Sequence, residues 1–210
     1  MILVLSAFEK EISRIIASVS RKKEIVSSGR TFLCGLWEGH EIMIGCTGVG
    51  RNAARQVCHA LLEEYRPDFF IYIGTAGSLD PGLEPGDMVA AGRIVCCGET
   101  LPELGSDSRL KEAALSYGGE EKIIEGTVLT CDIPVENGEL KRELVSVYGG
   151  DCVDMEGYGA AESAHIYGVP FLLVRIISDR ADAGVRTDFR KFIKKASLYS
   201  SNILRHILNK

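Results

Sequence analysis

Val169-Pro170-Phe171-Leu172-Leu173-Val174-Arg175-Ile176-Ile177 runs directly into Ser178-Asp179-Arg180-Ala181-Asp182. The Val/Ile/Leu content of Pro170–Ile177 predicts a strand buried on both faces, which requires helices on both sides of a sheet. A carboxylate just after such a strand stands where open α/β sheets build their sites. Asp179 is therefore the sharpest candidate, because a partly desolvated Asp has a raised pKa and keeps a proton to donate. Upstream, Val153-Asp154-Met155-Glu156-Gly157 leads into a helical pattern over Glu156–Tyr167. Asp154 and Glu156 are two apart, so on an extended segment they face one side. One of them, buried near a sheet end, can accept two hydrogen bonds from a cis-diol. Two exposed acids near a helix start are the alternative.

Working outward, the rest of the chain alternates strand and helix patterns. Met1–Ser6 reads as a buried strand, and Phe8–Val19 has apolar residues at helical spacing. Thr31–Trp37 and Glu41–Cys46 read as a hairpin around Gly39. Arg51–Tyr65 is helical, with Pro67-Asp68 stopping it before the strand Phe69–Ile73. Strands are expected at Asp87–Val95 and Lys122–Thr130, and helices at Ser108–Tyr117, Gly138–Tyr148 and Phe189–Asn209, with Asp107 and Ser108 as a cap. The expectation is a single α/β domain over residues 1–210, a three-layer sandwich around a mixed central sheet. Strand order does not follow from the pattern.

The net charge of −5, with Lys and Arg scattered, argues against a nucleic-acid partner. The apolar start is too short for a signal segment or a membrane span, so neither a membrane nor an exported protein is expected. Seven cysteines without a Cys-x-x-Cys pair read as small hydrophobes in a reducing cytoplasm, Cys96-Cys97 being the one conspicuous pair. His40, His59, His165 and His206 have no spacing suited to a metal, and none is expected.

Three further segments have chemical potential. Thr47-Gly48-Val49-Gly50 lies between a strand and a helix, either a tight turn or a place where backbone N–H groups meet a ligand at a helix start. It lacks both the dinucleotide fingerprint and a phosphate-loop Gly-Lys-Ser/Thr, so no nucleotide cofactor is expected. Gly74-Thr75-Ala76-Gly77-Ser78 would let a flat ring lie against the main chain, or is simply a turn. Glu9 and Glu11 begin a helix, where the dipole alone favours acids. If Glu11 points back toward the strand end, it can position and deprotonate a water molecule.

Taken together, Ser6-Ala7-Phe8-Glu9-Lys10-Glu11, Thr47–Gly50, Gly74–Gly77, Val153–Glu156 and Ser178–Asp182 occur in the order and approximate spacing of one family. Across nearly the whole chain the sequence resembles the purine nucleoside phosphorylase / methylthioadenosine–adenosylhomocysteine nucleosidase superfamily, on its nucleosidase branch. The resemblance implies that Asp179 protonates purine N7, with Ser178 orienting it, and that Glu11 activates water. It implies that Glu156 binds the ribose hydroxyls with Met155 beneath the sugar and Asp154 beside them, and that Thr75, Ala76 and Gly77 line the base. Val49 falls near the 5′ substituent and Phe189 beside the base. Pro134, followed by Val135, occupies the neighbourhood where that branch stacks a Phe. A homodimer or larger homo-oligomer acting on a small nucleoside follows from the same resemblance. Arg93–Ser108 is shorter than the corresponding loop and lacks its aromatics, which makes a deoxyfutalosine-type nucleoside an alternative substrate. Arg51 and Arg55 near the glycine loop leave a phosphate-dependent phosphorylase open, and a nucleoside-binding protein without catalysis is a third reading.

Overall fold

The computed structural model describes residues 1–182 and 185–210, with the side chains at 185–188, 190, 191 and 194 outside that description. Strand β1 (Ile2–Ser6) is buried throughout. Leu3 and Leu5 enter one apolar cluster and Ile2 and Val4 another, as alternation on a pleated strand dictates. The first cluster includes Ala54 and Leu61 of α2 (Arg51–Tyr65) and Tyr158 and Ala161 of α5 (Gly157–Tyr167). The second includes Ile12 and Ile15 of α1 (Glu9–Ser18) and Phe192 and Leu204 of α6 (Val185–Leu208). Two helical layers thus enclose a mixed sheet.

The sheet runs β2 (Ser20–Ser27), β3 (Arg30–Trp37), β4 (His40–Cys46), β1, β5 (Phe69–Ser78), β8 (Cys152–Asp154), β7 (Ile123–Thr130), β6 (Met88–Cys96), β9 (Phe171–Asp179). Because β9 also pairs in parallel with β5, from Phe70↔Phe171 to Gly77↔Asp179, the last five strands close on themselves. Closure removes their exposed edges and draws the ends of β5, β8 and β9 together. Helix α3 (Ser108–Leu115) is capped as expected, by the Asp107 carboxylate accepting from Arg109 N and Leu110 N. Helix α4 (Gly138–Tyr148) is capped by Asn137 and covers Leu129, Val135, Val153 and Ala181 through Leu144.

Several elements differ from the sequence expectation, among them the short strand β8. β2 has no apolar face to show, since Ser20–Glu24 are exposed on a charged sheet edge. β5 continues five residues past Ile73, because Gly74–Ser78 keep pairing with β9 and β8 despite their low strand propensity. β9 likewise continues through Ser178 and Asp179, so the acid is the last strand residue rather than the start of a loop. Finally, α6 begins at Val185, four residues before Phe189.

Candidate active site

The residues to which the family resemblance assigns a role line one cavity of about 250 Å³: Glu11, Val49, Thr75, Ala76, Gly77, Pro134, Val135, Asp154, Met155, Glu156, Ser178, Asp179 and Phe189, whereas Glu9 does not. They arrive from the first turn of α1, the loop between β4 and α2, the ends of β5, β8 and β9, the loop before α4, and α6.

Glu11 is 1% exposed and points back into the strand end. Its Oε2 accepts from Ser6 Oγ at 2.5 Å and Phe8 N at 3.0 Å; Oε1 accepts from Thr75 N and Thr75 Oγ1, both at 2.7 Å. Four donors therefore address one carboxylate, two of them hydroxyls that can rotate away for another donor. Gly74 is required beside it: a Cβ there would stand 2.6 Å from Arg175 Nη1 and 3.1 Å from Glu11 Oε1.

Asp154 and Glu156 part company in their contacts. Asp154 accepts from Arg175 Nε at 2.6 Å, Thr130 Oγ1 at 2.6 Å and Gly157 N at 2.9 Å, so its carboxylate is committed to the protein's own donors. Asp154 nevertheless lines the cavity, as the sequence expectation has it. Glu156 accepts from Gly50 N at 2.8 Å, which joins the glycine loop to the cavity floor, and lies 3.9 Å from Arg175 Nη2. Burial pushes the Glu156 carboxyl up to about 7, with Asp154 raising it further and the Arg175 charge and the Gly50 N–H working the other way. Arg175 is fully buried and lies 4.9 Å over the Tyr72 ring. Burial opposes its charge, but the Asp154 and Glu156 carboxylates hold its pKa above the usual value.

Asp179 is 3% exposed. Its Oδ1 accepts from Ala181 N at 2.9 Å, in a turn that puts Ala181 at φ +49°, a conformation non-glycine residues rarely adopt. Ser178 Oγ lies 2.7 Å from Asp179 Oδ2 and 3.2 Å from Ala76 O. One hydroxyl proton serves only one acceptor at a time. With Asp179 ionised, Ser178 donates to it; with Asp179 protonated, Ser178 accepts and donates onward to Ala76 O. The pair thus accommodates both states of an acid. A Cβ at Gly77 would stand 2.9 Å from Asp179 Oδ1, so only glycine leaves the carboxylate in place.

The cavity mouth is apolar and open, with Phe8, Val49 and Ile133 at 41%, 48% and 61% exposure, and the Phe8 and Phe189 ring centroids 6.0 Å apart. Sequence reasoning did not single out Ala7, Phe8, Ile133, Glu136 and Val153 as lining residues, nor Ser6 and Arg175 behind them. Arg175 alone carried a visible signal: one arginine in an otherwise apolar buried strand must have a buried counter-charge.

A family model for the phosphorylase superfamily matches residues 1–209. The chain belongs to the phosphorylase superfamily. Within reach of this superfamily member is a 5'-methylthioadenosine/S-adenosylhomocysteine nucleosidase of Shewanella loihica, 27% identical over 97% of this chain and 98% of that protein. The fold is also similar to a solved 5'-methylthioadenosine/S-adenosylhomocysteine nucleosidase from Helicobacter pylori with butyl-thio-DADMe-Immucillin-A. That match is 25% identical with a TM-score of 0.92, covering 99% of this chain and 97% of that one. A futalosine hydrolase from Helicobacter pylori has the same fold, with a TM-score of 0.92 at 24% identity over 99% of this chain and 97% of that one.

For a phosphorylase superfamily member the charge of the cavity is one-sided. The described lining holds the carboxylates of Glu11, Glu136, Asp154, Glu156 and Asp179 and no Lys, Arg or His. Arg51 is turned to Glu99, Asp132 and Cys96 Sγ, and Arg55 to Glu162, so neither lines the cavity. Among the described residues no group of three His, Cys, Asp or Glu is arranged for a metal ion, and no helix is long and apolar enough to cross a membrane.

Proposed function

We propose that this protein hydrolyses the N-glycosidic bond of a 5′-modified adenosine, of the methylthioadenosine or adenosylhomocysteine type, giving adenine and the free sugar. The observation that carries water over phosphate is the one-sided charge of the cavity. Two like unit charges 4 Å apart repel by about 1 kcal/mol in bulk water and by about 4 kcal/mol at the effective dielectric near a protein surface. A phosphate dianion beside Glu11 would meet that repulsion with no Lys, Arg or His among the described lining residues to offset it; water meets none.

In this reading the purine lies along the Thr75–Gly77 main chain with N7 toward Asp179, whose second oxygen accepts from the exocyclic amine. The ribose hydroxyls donate to Glu156, and Met155 packs beneath the sugar. The C1′–N9 bond breaks with its electrons moving into the purine as Asp179 gives its proton to N7. The oxocarbenium-like sugar is then attacked at C1′ by water, which loses its proton to Glu11. One proton leaves Asp179 and one arrives at Glu11, so the net change is the addition of water. Fixed carboxylates near the developing positive sugar stabilise it without reorganising.

The apolar mouth supports a thioether at the 5′ position. Its exposed Phe8, Val49 and Ile133 support a second copy of the chain covering it in a homodimer. The free cysteines support a reducing, cytoplasmic setting. The exposure of Val49 and Ile133 in the cavity lining also favours a second substrate reading, a bulkier 5′ group of the futalosine type. A panel of methylthioadenosine, adenosylhomocysteine and futalosine, with the released base identified by chromatography, decides between them. Adenine from the first two supports the main reading. Hypoxanthine from futalosine alone selects the second, and no base from any of the three contradicts both.

A further inference from the structure

Beyond the groups that line the cavity, one half-buried cation ties the acid-bearing turn to the rest of the site. Lys141, in the first turns of α4, donates from Nζ to Ser78 O and to Arg180 O, each at 2.8 Å. Ser78 ends β5, the strand that supplies Thr75, Ala76 and Gly77. Arg180 follows Asp179 and precedes Ala181, whose N–H holds Asp179 Oδ1. The same helix α4 begins one residue after the cavity wall of Ile133–Glu136 and its cap Asn137.

The geometry points to Lys141 as a positioning residue for Asp179: its ammonium fixes the Arg180 carbonyl against the end of β5 and so holds the Asp179–Ala181 turn that aims the acid. Three observations support it. The turn is intrinsically unfavourable, since Ala181 stands at φ +49° and such a conformation persists only where its surroundings over-determine it. The Ser78 and Arg180 carbonyls lie on two different strand ends, and a single side chain bridges them, so moving either moves Lys141 with it. Lastly, the ammonium feels the charges around it: burial lowers its pKa, Asp182, Asp179 and Asp80 raise it, and Arg180 lowers it. Lys141 is absent from the cavity lining, so its effect on substrate passes through Asp179.

This inference rests on the hydrolase reading above, in which Asp179 protonates the base. A positioning role predicts a defect confined to substrates whose leaving group needs that proton. The test compares Lys141→Met and Lys141→Arg with the parent and with Asp179→Asn, on methylthioadenosine and on 4-nitrophenyl riboside, whose leaving group departs as a stable anion. For Lys141→Met, kcat on methylthioadenosine is expected to fall about 30-fold with KM changed less than about 3-fold, following the sensitivity of general-acid catalysis to small misplacements. Turnover of 4-nitrophenyl riboside should stay within about 3-fold of the parent, and Asp179→Asn should show the same split more severely. Lys141→Arg, which keeps two donors and the charge, should recover most of the activity. Circular dichroism and thermal unfolding accompany the kinetics. Equal losses on both substrates, or unchanged kcat in a folded Lys141→Met, overturn the assignment while leaving the hydrolase reading intact. A parent that releases no base from any purine nucleoside overturns both.

Discussion

Replacing Glu156 with Gln isolates a titration that the fold forces on this site. Glu156 is 6% exposed, and burial lifts its carboxyl from an ordinary 4.5 to about 7. The folded protein therefore binds a proton there more tightly than the unfolded chain does. Between those two values the folded state holds more protons, so stability falls as pH rises; the contribution is complete below 4.5 and gone above about 7. At about 1.4 kcal/mol per pH unit, the gap corresponds to about 3 kcal/mol. With a urea dependence of about 2–3 kcal/mol/M, the midpoint should move by about 1 M. Urea unfolding of parent and Glu156→Gln at pH 5, 6, 7 and 8 measures this, since subtracting one curve from the other cancels the remaining titrations. The parent should lose about 1 M relative to the variant across the series. Parallel curves would refute the claim that Glu156 is buried at the cost of its charge. Ribose hydroxyls donating to the carboxylate favour its ionised form, so nucleoside affinity should rise from pH 6 to pH 8 in the parent and stay flat in the variant.

Asp154→Ala strands the buried Arg175 charge and should cost about 3–5 kcal/mol by urea unfolding, whereas Asp154→Leu combined with Arg175→Met should cost much less. A result in which the double variant is the worse of the two would contradict the ion-pair account. Gly77→Ala drives a methyl group against Asp179 Oδ1, 2.9 Å away, and should lower kcat sharply with a stability loss of about 1–3 kcal/mol in thermal unfolding. Asp179→Asn should abolish turnover of methylthioadenosine while calorimetry still detects nucleoside binding; a variant as active as the parent would remove the general acid.

The layered fold is legible because buried strands announce themselves: Ile2–Ser6 and Phe171–Ile177 are apolar at every position but Ser6 and Arg175. Hairpin β3–β4 is legible for a local reason, since Glu38-Gly39 sits between two strand patterns and both residues have positive φ. What escapes is decided at long range. β2 is held by pairing with β3 rather than by its own side chains. Gly74–Ser78 look like a turn, and they are a strand because β9 lies alongside. Closure of β5 onto β9 brings Glu11 and Asp179 to one cavity, and no local pattern encodes it. The family resemblance named residues that meet in one cavity, yet it did not say that Asp154 and Glu156 differ in their contacts with Arg175. Their two-residue spacing puts both acids near Arg175, and only three-dimensional packing gives one to the guanidinium and leaves the other to the cavity.

The central claim is that water, and not phosphate, attacks the sugar at this carboxylate-lined cavity. The measurement that tests it most directly is mass analysis of the sugar product formed from methylthioadenosine in phosphate-free buffer and again in phosphate buffer. The account predicts free methylthioribose at the same rate in both. Product formed only with phosphate, and carrying it at C1, would contradict it.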